Sequence, residues 1–314
     1  MLWQSFFRSV VKIALIVVAG VYLVVLLVNN NYSPFIGYNG SDQPAAAPSL
    51  DWKAIRQMEI DYWNKIRAET MTPNQIIDYF NWSNHTACKL YHYFGGVYST
   101  WNNAKGIDGQ YPVCLDPAVR PVTSLGSCLV YSFGVRDEWS FEEAMERYGC
   151  EVFAFDPSMS KDNHDHSSKI HFYKLGLGPK DSNTTTGWTL KTLNSIYQML
   201  LPRHGENVID YLKIDIEWNE WDALKQILTT DMLSKVRQLS FEFHLPHQND
   251  GLPGFNKDMT LQDYRSLTGL VQSVEKRMTR YASRGIPWGD RKITSLDNYQ
   301  GNVCFEMSFI QILP

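Results

Sequence analysis

Beyond residue 121 the apolar positions fall into short blocks, each closed by a glycine or a carboxylate, with stretches of helical spacing between them. The pattern predicts strands over 128–133, 151–155, 169–175, 209–216 and 236–243, and helices over 140–148, 189–201 and 219–228. A helix over about 261–278 and a strand over 303–312 complete the series. That last strand has no crossover helix before it, so it is expected to run antiparallel at the end of the sheet. Alternating strands and helices imply right-handed crossovers and a mainly parallel α/β sheet.

Upstream the pattern changes character. Val10 to Val28 is apolar except for Lys12, and about 19 residues at 1.5 Å each cover roughly 28 Å, enough to cross a hydrocarbon core. Arg8 and Lys12 stand on one side and Asn29, Asn30 and Asn31 on the other. The positive-inside bias therefore predicts a cytosolic N-terminus (1–9), a transmembrane signal anchor (10–28) and a lumenal remainder. A cleaved signal peptide is the competing reading, but Leu26 to Asn29 do not supply the small residues of a cleavage site. Residues 29–50, rich in Asn, Pro, Gly, Ser and Ala, read as a flexible stem. Trp52, Ile55, Met58, Ile60, Tyr62, Trp63 and Ile66 recur near helical spacing and open an irregular extension (51–120), in which Gly95-Gly96 marks a turn. The catalytic domain is expected over 121–314.

The chain has 314 residues and a net charge of -4. With no cluster of lysine or arginine it lacks the cationic surface that nucleic-acid binding needs. Asn-X-Ser/Thr occurs at Asn31, Asn39, Asn81, Asn84 and Asn183, as a lumenal glycoprotein of the endoplasmic reticulum or Golgi would allow. Five cysteines fit the same compartment. Cys88 and Cys114 are candidates for a bridge, while Cys128, Cys150 and Cys304 adjoin or lie in strands; five buried thiols are the alternative.

The ends of three predicted strands carry the chemistry. In an open α/β sheet ligands lie beyond the carboxyl ends of the strands, where this chain places Ser132-Phe133-Gly134, Asp156-Pro157, and Asp215 with Glu217. The distance from Gly134 to Asp156 matches the roughly 20-residue gap between a nucleotide-binding turn and a ribose-binding acid. Only Gly134 is glycine between Ser132 and Ser140, so a pyrophosphate-binding turn is absent and a dinucleotide is disfavoured. S-adenosylmethionine needs only one close backbone approach and a carboxylate for its ribose; an ordinary strand-ending turn at Asp156-Pro157 is the plainer alternative. Asp215 and Glu217 are expected on one side of their strand end, one to hold the cofactor amino group and one to take a proton, unless they pair with Lys213 or cap the next helix. Glu242 and His244 repeat the arrangement one strand on, with His244 the preferred general base. Asp215, Glu217, Glu242 and His244 also have the donor atoms of a divalent-metal site, but their spacing is not diagnostic and no metal is assigned. His164, Asp165 and His166 read as a solvated loop.

The segments CLVYSFGVRDEWSFEEAMERYGCEVFAFDPSM, IDYLKIDIEWNEWDAL and RQLSFEFH together resemble the membrane-anchored methyltransferase-like protein 24 family and, more distantly, FkbM-type methyltransferases. The resemblance implies a class I S-adenosylmethionine-dependent methyltransferase fold, Rossmann-like, with seven mostly parallel strands. It also implies cofactor contacts at Gly134 and Asp156, Asp215 and Glu217 in the acidic run of the FkbM type, and a sugar or other hydroxyl as acceptor. Against this stand a non-catalytic binding module of the same fold, for a glycan or protein partner, and a nucleotide-sugar transferase, whose Asp-X-Asp motif the chain lacks.

Overall fold

Two long strands, Tyr91–Trp101 (β1) and Ala104–Cys114 (β2), pair as an antiparallel hairpin in a computed structural model that describes residues 51–101, 104–121, 128–247, 259–286 and 291–312. The expected cytosolic end, anchor and stem lie outside those residues; among the described residues no helix is long and apolar enough to cross a membrane. From Trp52 onward the chain clusters as one unit, so the described residues of 52–120 pack as part of the same body as the sheet.

The sheet strands follow as Leu129–Phe133 (β3), Glu151–Phe155 (β4), His164–Asp165 (β5) and Ile170–Tyr173 (β6). Three short strands, Gly176–Leu177 (β7), Ser182–Asn183 (β8) and Thr189–Lys191 (β9), make a separate small sheet. Tyr211–Ile214 (β10), Gln238–His244 (β11), Thr279–Gly285 (β12) and, after the hairpin Arg291–Ile293 (β13) and Tyr299–Gly301 (β14), Cys304–Ile310 (β15) complete the set. The main sheet has eight strands in the order β12-β15-β11-β10-β3-β4-β6-β5. β6, β4, β3, β10 and β11 run parallel, while β15 is antiparallel to both its neighbours. Every residue of β3, β10 and β15 is buried, as for strands covered on both faces.

The helices are Trp52–Lys65 (α1), Pro73–Asn81 (α2), Ser140–Tyr148 (α3), Leu193–His204 (α4), Glu220–Leu228 (α5) and Leu261–Glu275 (α6). Thr72 and Gln75 form a capping box at the start of α2, with Pro73 in the first turn where its missing N–H costs nothing. Thr260 and Asp263 do the same for α6.

Several expectations are corrected. The sheet has eight strands rather than seven, because the two-residue β5 joins its edge. The last strand is antiparallel but lies between β11 and β12, not at the end. β12 was hidden because its sequence, TRYASRG, puts one arginine in the core and another against a buried acid, which masks the period of a strand. Gly95 and Gly96 sit inside β1 rather than in a turn; a Cβ on Gly95 would come within 2.6 Å of the Phe141 nitrogen, so glycine lets the hairpin lie against the start of α3. The predicted helix 189–201 begins at Leu193, after β9, with Thr192 as its cap.

The hairpin is tied to the sheet by buried polar contacts. The Gln238 amide bonds both the nitrogen and the oxygen of Cys114, and the hydroxyls of Tyr211 and Tyr281 both donate to the Pro112 carbonyl. Cys88 and Cys114 are bridged, as are Cys128 and Cys150, which lie just before β3 and β4; Cys304 is a buried free thiol. Replacing Cys128 and Cys150 together by alanine is expected to cost about 3 kcal/mol, from the entropy released to a short loop in the unfolded chain. The shift in the urea midpoint measures it. Of the glycosylation motifs, Asn81 and Asn183 are exposed, Asn84 is buried, and Asn31 and Asn39 lie outside the described residues.

Candidate active site

Because β4, β3, β10 and β11 are parallel, their carboxyl ends open on one edge of the sheet, and the candidate residues gather there. The chain leaves β3 through Gly134 at φ +82, and a Cβ there would lie 1.5 Å from the Asp215 carbonyl oxygen. Glycine is therefore demanded by the end of β10, before any ligand is considered. Lys213, buried on β10, donates to the Gly134 carbonyl at 2.8 Å. Arg136 and Asp137 after β3, and Glu217 and Trp218 after β10, all have positive φ, between 49 and 75. Strained backbone of this kind persists where surrounding structure enforces it, and it collects at functional sites.

Asp156 at the end of β4 is 4% exposed. Its carboxylate accepts the Arg136 N–H at 2.8 Å, the Ser158 N–H at 2.8 Å and the Ser158 hydroxyl at 2.6 Å. A carboxylate has about four acceptor positions, so three are already spent on fastening the turn after β3. Pro157 and Ser158 line a cleft of roughly 410 Å³ together with Met159, Lys174 and Trp188. Ser132 and Phe133 do not turn their side chains to the mouth: Ser132 is buried and donates to Glu142, and Phe133 stacks on Phe155 with ring centres 4.5 Å apart. His164 and Asp165 form β5, where Asp165 pairs with His171, while His166 stacks on Trp139 at 4.1 Å.

The acidic side of the mouth is more crowded than the sequence implied. β10 ends at Ile214, so simple alternation does not carry Glu217 to its place; the left-handed turn at Glu217-Trp218 does. Asp215 accepts a hydrogen bond from Tyr111 of β2 at 2.9 Å. Glu217 stands 3.4 Å from the Arg136 guanidinium and 3.7 Å from His244 Nε2. Burial and the charge of Asp215 push its carboxyl above the usual range. Glu242 is pushed up strongly by burial and by Asp215.

His244 has Nδ1 3.3 Å from Glu220 Oε1 and Nε2 3.5 Å from Glu242 Oε1. Burial pulls the imidazole down, but Glu220, Glu242 and Glu217 outweigh it and raise it to about 10. At neutral pH it already carries its proton, so the expected role of general base does not suit His244 as it stands here. Sequence reasoning missed Tyr111, Glu220 and Cys304. Glu220 was legible as the acid three residues past Glu217, but Tyr111 and Cys304 arrive from β2 and β15, whose placement only the fold reveals.

Comparison with known proteins gives the chain a family. The chain is 26% identical over 204 residues to the human protein described as probable methyltransferase-like protein 24, covering 64% of this chain and 55% of that one. The rat protein of the same description is 26% identical over 203 residues, covering 63% and 55%. The chain thus spans about half the length of these curated relatives. Among solved structures, a mutant form of a 16S rRNA (adenine(1408)-N(1))-methyltransferase from Catenulisporales acidiphilia aligns over 71% of this chain and 99% of its own, at 10% identity and a TM-score of 0.32, too slight a likeness to bear on fold or function. The family profile described as a methyltransferase domain matches residues 51–281, well over half of the chain. By that match the chain belongs to the methyltransferase-domain family.

Proposed function

We propose that the protein transfers a methyl group from S-adenosylmethionine to a hydroxyl acceptor, of the sugar type, in the lumen of the secretory pathway, as a single-pass type II membrane protein. The observation that carries the reading is the convergence of Gly134, Asp156, Asp215 and Glu217 on the open ends of β3, β4 and β10. The residues fit such a cofactor: a cleft lined by Pro157, Ser158 and Trp188 beside Asp156 suits a flat base and its ribose, and the acidic rim suits a cationic sulfonium and its amino group. When bound, S-adenosylmethionine supplies an electrophilic methyl group. Asp156 holds the turn that would flank the ribose and keeps one acceptor position for it. Asp215, positioned by Tyr111, suits the amino group. Glu217, its carboxyl held above the usual range by burial and by Asp215, takes the proton of the hydroxyl. Two disulfides support an oxidising compartment, and the apolar run 10–28 supports the anchor.

A second reading, a methyltransferase-fold module that binds a partner without turnover, draws on two observations. Asp156 is largely committed to its own turn, and the Arg136–Glu217 pair reaches across the mouth. Titration calorimetry of the full chain with S-adenosylmethionine separates the two. Saturable binding is expected, and Asp156→Ala should weaken it on the order of 10- to 100-fold, the loss of charge-assisted hydrogen bonds that order the turn. No heat from the unaltered protein would favour the binding module. Unchanged affinity in the variant would remove Asp156 from the cofactor site.

A further inference from the structure

Of the five cysteines, four are joined in disulfides and Cys304 is left as a buried thiol. It begins β15 directly opposite His244 of β11, and Glu242 lies two residues before His244. Cross-strand partners and residues two apart share a face of the sheet, so all three side chains point to one place. Their donor atoms lie within 4.8 Å of one another: Cys304 Sγ is 3.1 Å from Glu242 Oε1, and His244 Nε2 is 3.5 Å from the same oxygen. Metal–ligand bonds of about 2.0–2.3 Å at tetrahedral angles separate neighbouring ligand atoms by about 3.2–3.8 Å, close to the two distances found here.

A mixed set of thiol, imidazole and carboxylate is more specific than an acidic cluster, and the histidine adds an independent sign. His244 is 8% exposed, and its Nδ1 is buried without a hydrogen-bond partner. Nε2 stands 3.5 Å from Glu242 and 3.7 Å from Glu217, longer than the roughly 2.7–3.2 Å of a good hydrogen bond. The imidazole thus directs Nε2 towards two carboxylates and a thiol, with neither carboxylate at good hydrogen-bonding distance. Behind it, 3.3 Å from Nδ1, lies Glu220, completely buried and held by the Ile216 N–H. A carboxylate behind the far nitrogen of a histidine is the usual outer support of a metal ligand, since it sets the ring orientation and leaves Nε2 free to bind. The other grouping of metal-type residues among the described ones, Cys88, Cys114 and Asp116, has both sulfurs spent in a disulfide.

We propose that Glu242, His244 and Cys304 form a mononuclear site for a divalent transition metal of the zinc class, with Glu220 as the positioning carboxylate behind His244 and one coordination position open towards Glu217. Thiolate with imidazole selects zinc-like ions over magnesium or calcium, which take oxygen ligands. Binding replaces the thiol proton of Cys304 and the Nε2 proton of His244 with metal–ligand bonds, and those protons go to solvent. The site stands whether or not the protein transfers methyl groups, because its test reads the metal alone.

The full chain, stripped with a chelator and dialysed, is titrated with Co²⁺. One equivalent is expected to bind, with a thiolate-to-cobalt charge-transfer band in the near ultraviolet and release of protons to a weak buffer; Zn²⁺ should then displace it. Cys304→Ser should abolish the band while the thermal melt remains cooperative. Glu220→Gln, which touches no metal, should weaken Co²⁺ binding roughly 10- to 100-fold and keep the band at saturation. If Cys304→Ser proves unstable, His244→Gln provides the same test through loss of affinity. Absence of the band in the unaltered protein at saturating Co²⁺, or a band that survives Cys304→Ser, would overturn the proposal.

Discussion

Replacing Arg280 by alanine is expected to destabilise the protein by about 3–5 kcal/mol, the cost of breaking a buried ion pair from one side. Arg280 lies on β12 at 1% exposure. Its Nε stands 2.8 Å from Glu275 at the end of α6, and its Nη1 donates to the carbonyls of Tyr79 and Trp82 at the end of α2. The guanidinium also lies over the Tyr79 ring at 4.3 Å and the Trp82 ring at 5.3 Å. One side chain thus joins the upstream helices to the edge of the sheet. Alanine would leave the Glu275 carboxylate without its cation and two carbonyls without their donor, and open a void among aromatic rings. Lysine is expected to recover only part of the loss, because a point charge cannot serve carboxylate, carbonyls and ring faces together. Urea denaturation gives the measurement, with Lys225→Ala as reference: Lys225 makes an exposed pair within α5, worth no more than about 0.5 kcal/mol. A loss below about 1 kcal/mol for Arg280→Ala would mean that the pair does not hold these elements together.

Arg280 also marks where sequence reading stopped. β3, β4 and β10 announce themselves as near-continuous apolar runs because both their faces are covered, β11 by alternating apolar residues, and the turn residues after them fix where they end. β12 carries its charge inwards, so the same rule reads it as loop. The site divides in the same way. Gly134, Asp156, Asp215 and Glu217 are legible because they directly follow predicted strands. Tyr111 and Cys304 are not, because β2 reaches Asp215 only through the hairpin that crosses the sheet, and β15 meets β11 only by insertion beside it. Roles were harder to read than positions. His244 looked like a base because histidine ordinarily titrates near neutrality, whereas three surrounding carboxylates keep it charged. Asp156 looked like a ribose clasp because of its spacing from Gly134, whereas most of its acceptor positions go to the turn itself.

That turn is the subject of the other large effect: Gly134→Ala should cost about 4 kcal/mol or more and abolish the proposed cofactor binding. Two costs add. An L side chain at φ +82 carries strain of roughly 1–2 kcal/mol. The larger one is steric, since the new Cβ would sit 1.5 Å from the Asp215 carbonyl oxygen, which is backbone and has no side-chain torsion by which to move aside. Either the turn lifts off or the end of β10 retreats. If the turn lifts, Gly134 loses its hydrogen bond to Phe155 and its bond from Lys213, and Arg136 leaves Asp156. If β10 retreats, Asp215 leaves Tyr111 and the Glu217-Trp218 turn follows. Gly187→Ala isolates the strain, because Gly187 has φ +86 and nothing within 4 Å of an added Cβ; its cost should stay near 1–2 kcal/mol. Hydrogen exchange tells the two routes apart: fast exchange confined to Arg136 and its neighbours means the turn has lifted, and loss of protection at Ile214 and Asp215 means the strand end has moved. An alanine variant as stable as the Gly187 reference would place the Asp215 carbonyl farther from Gly134 than the fold described here allows.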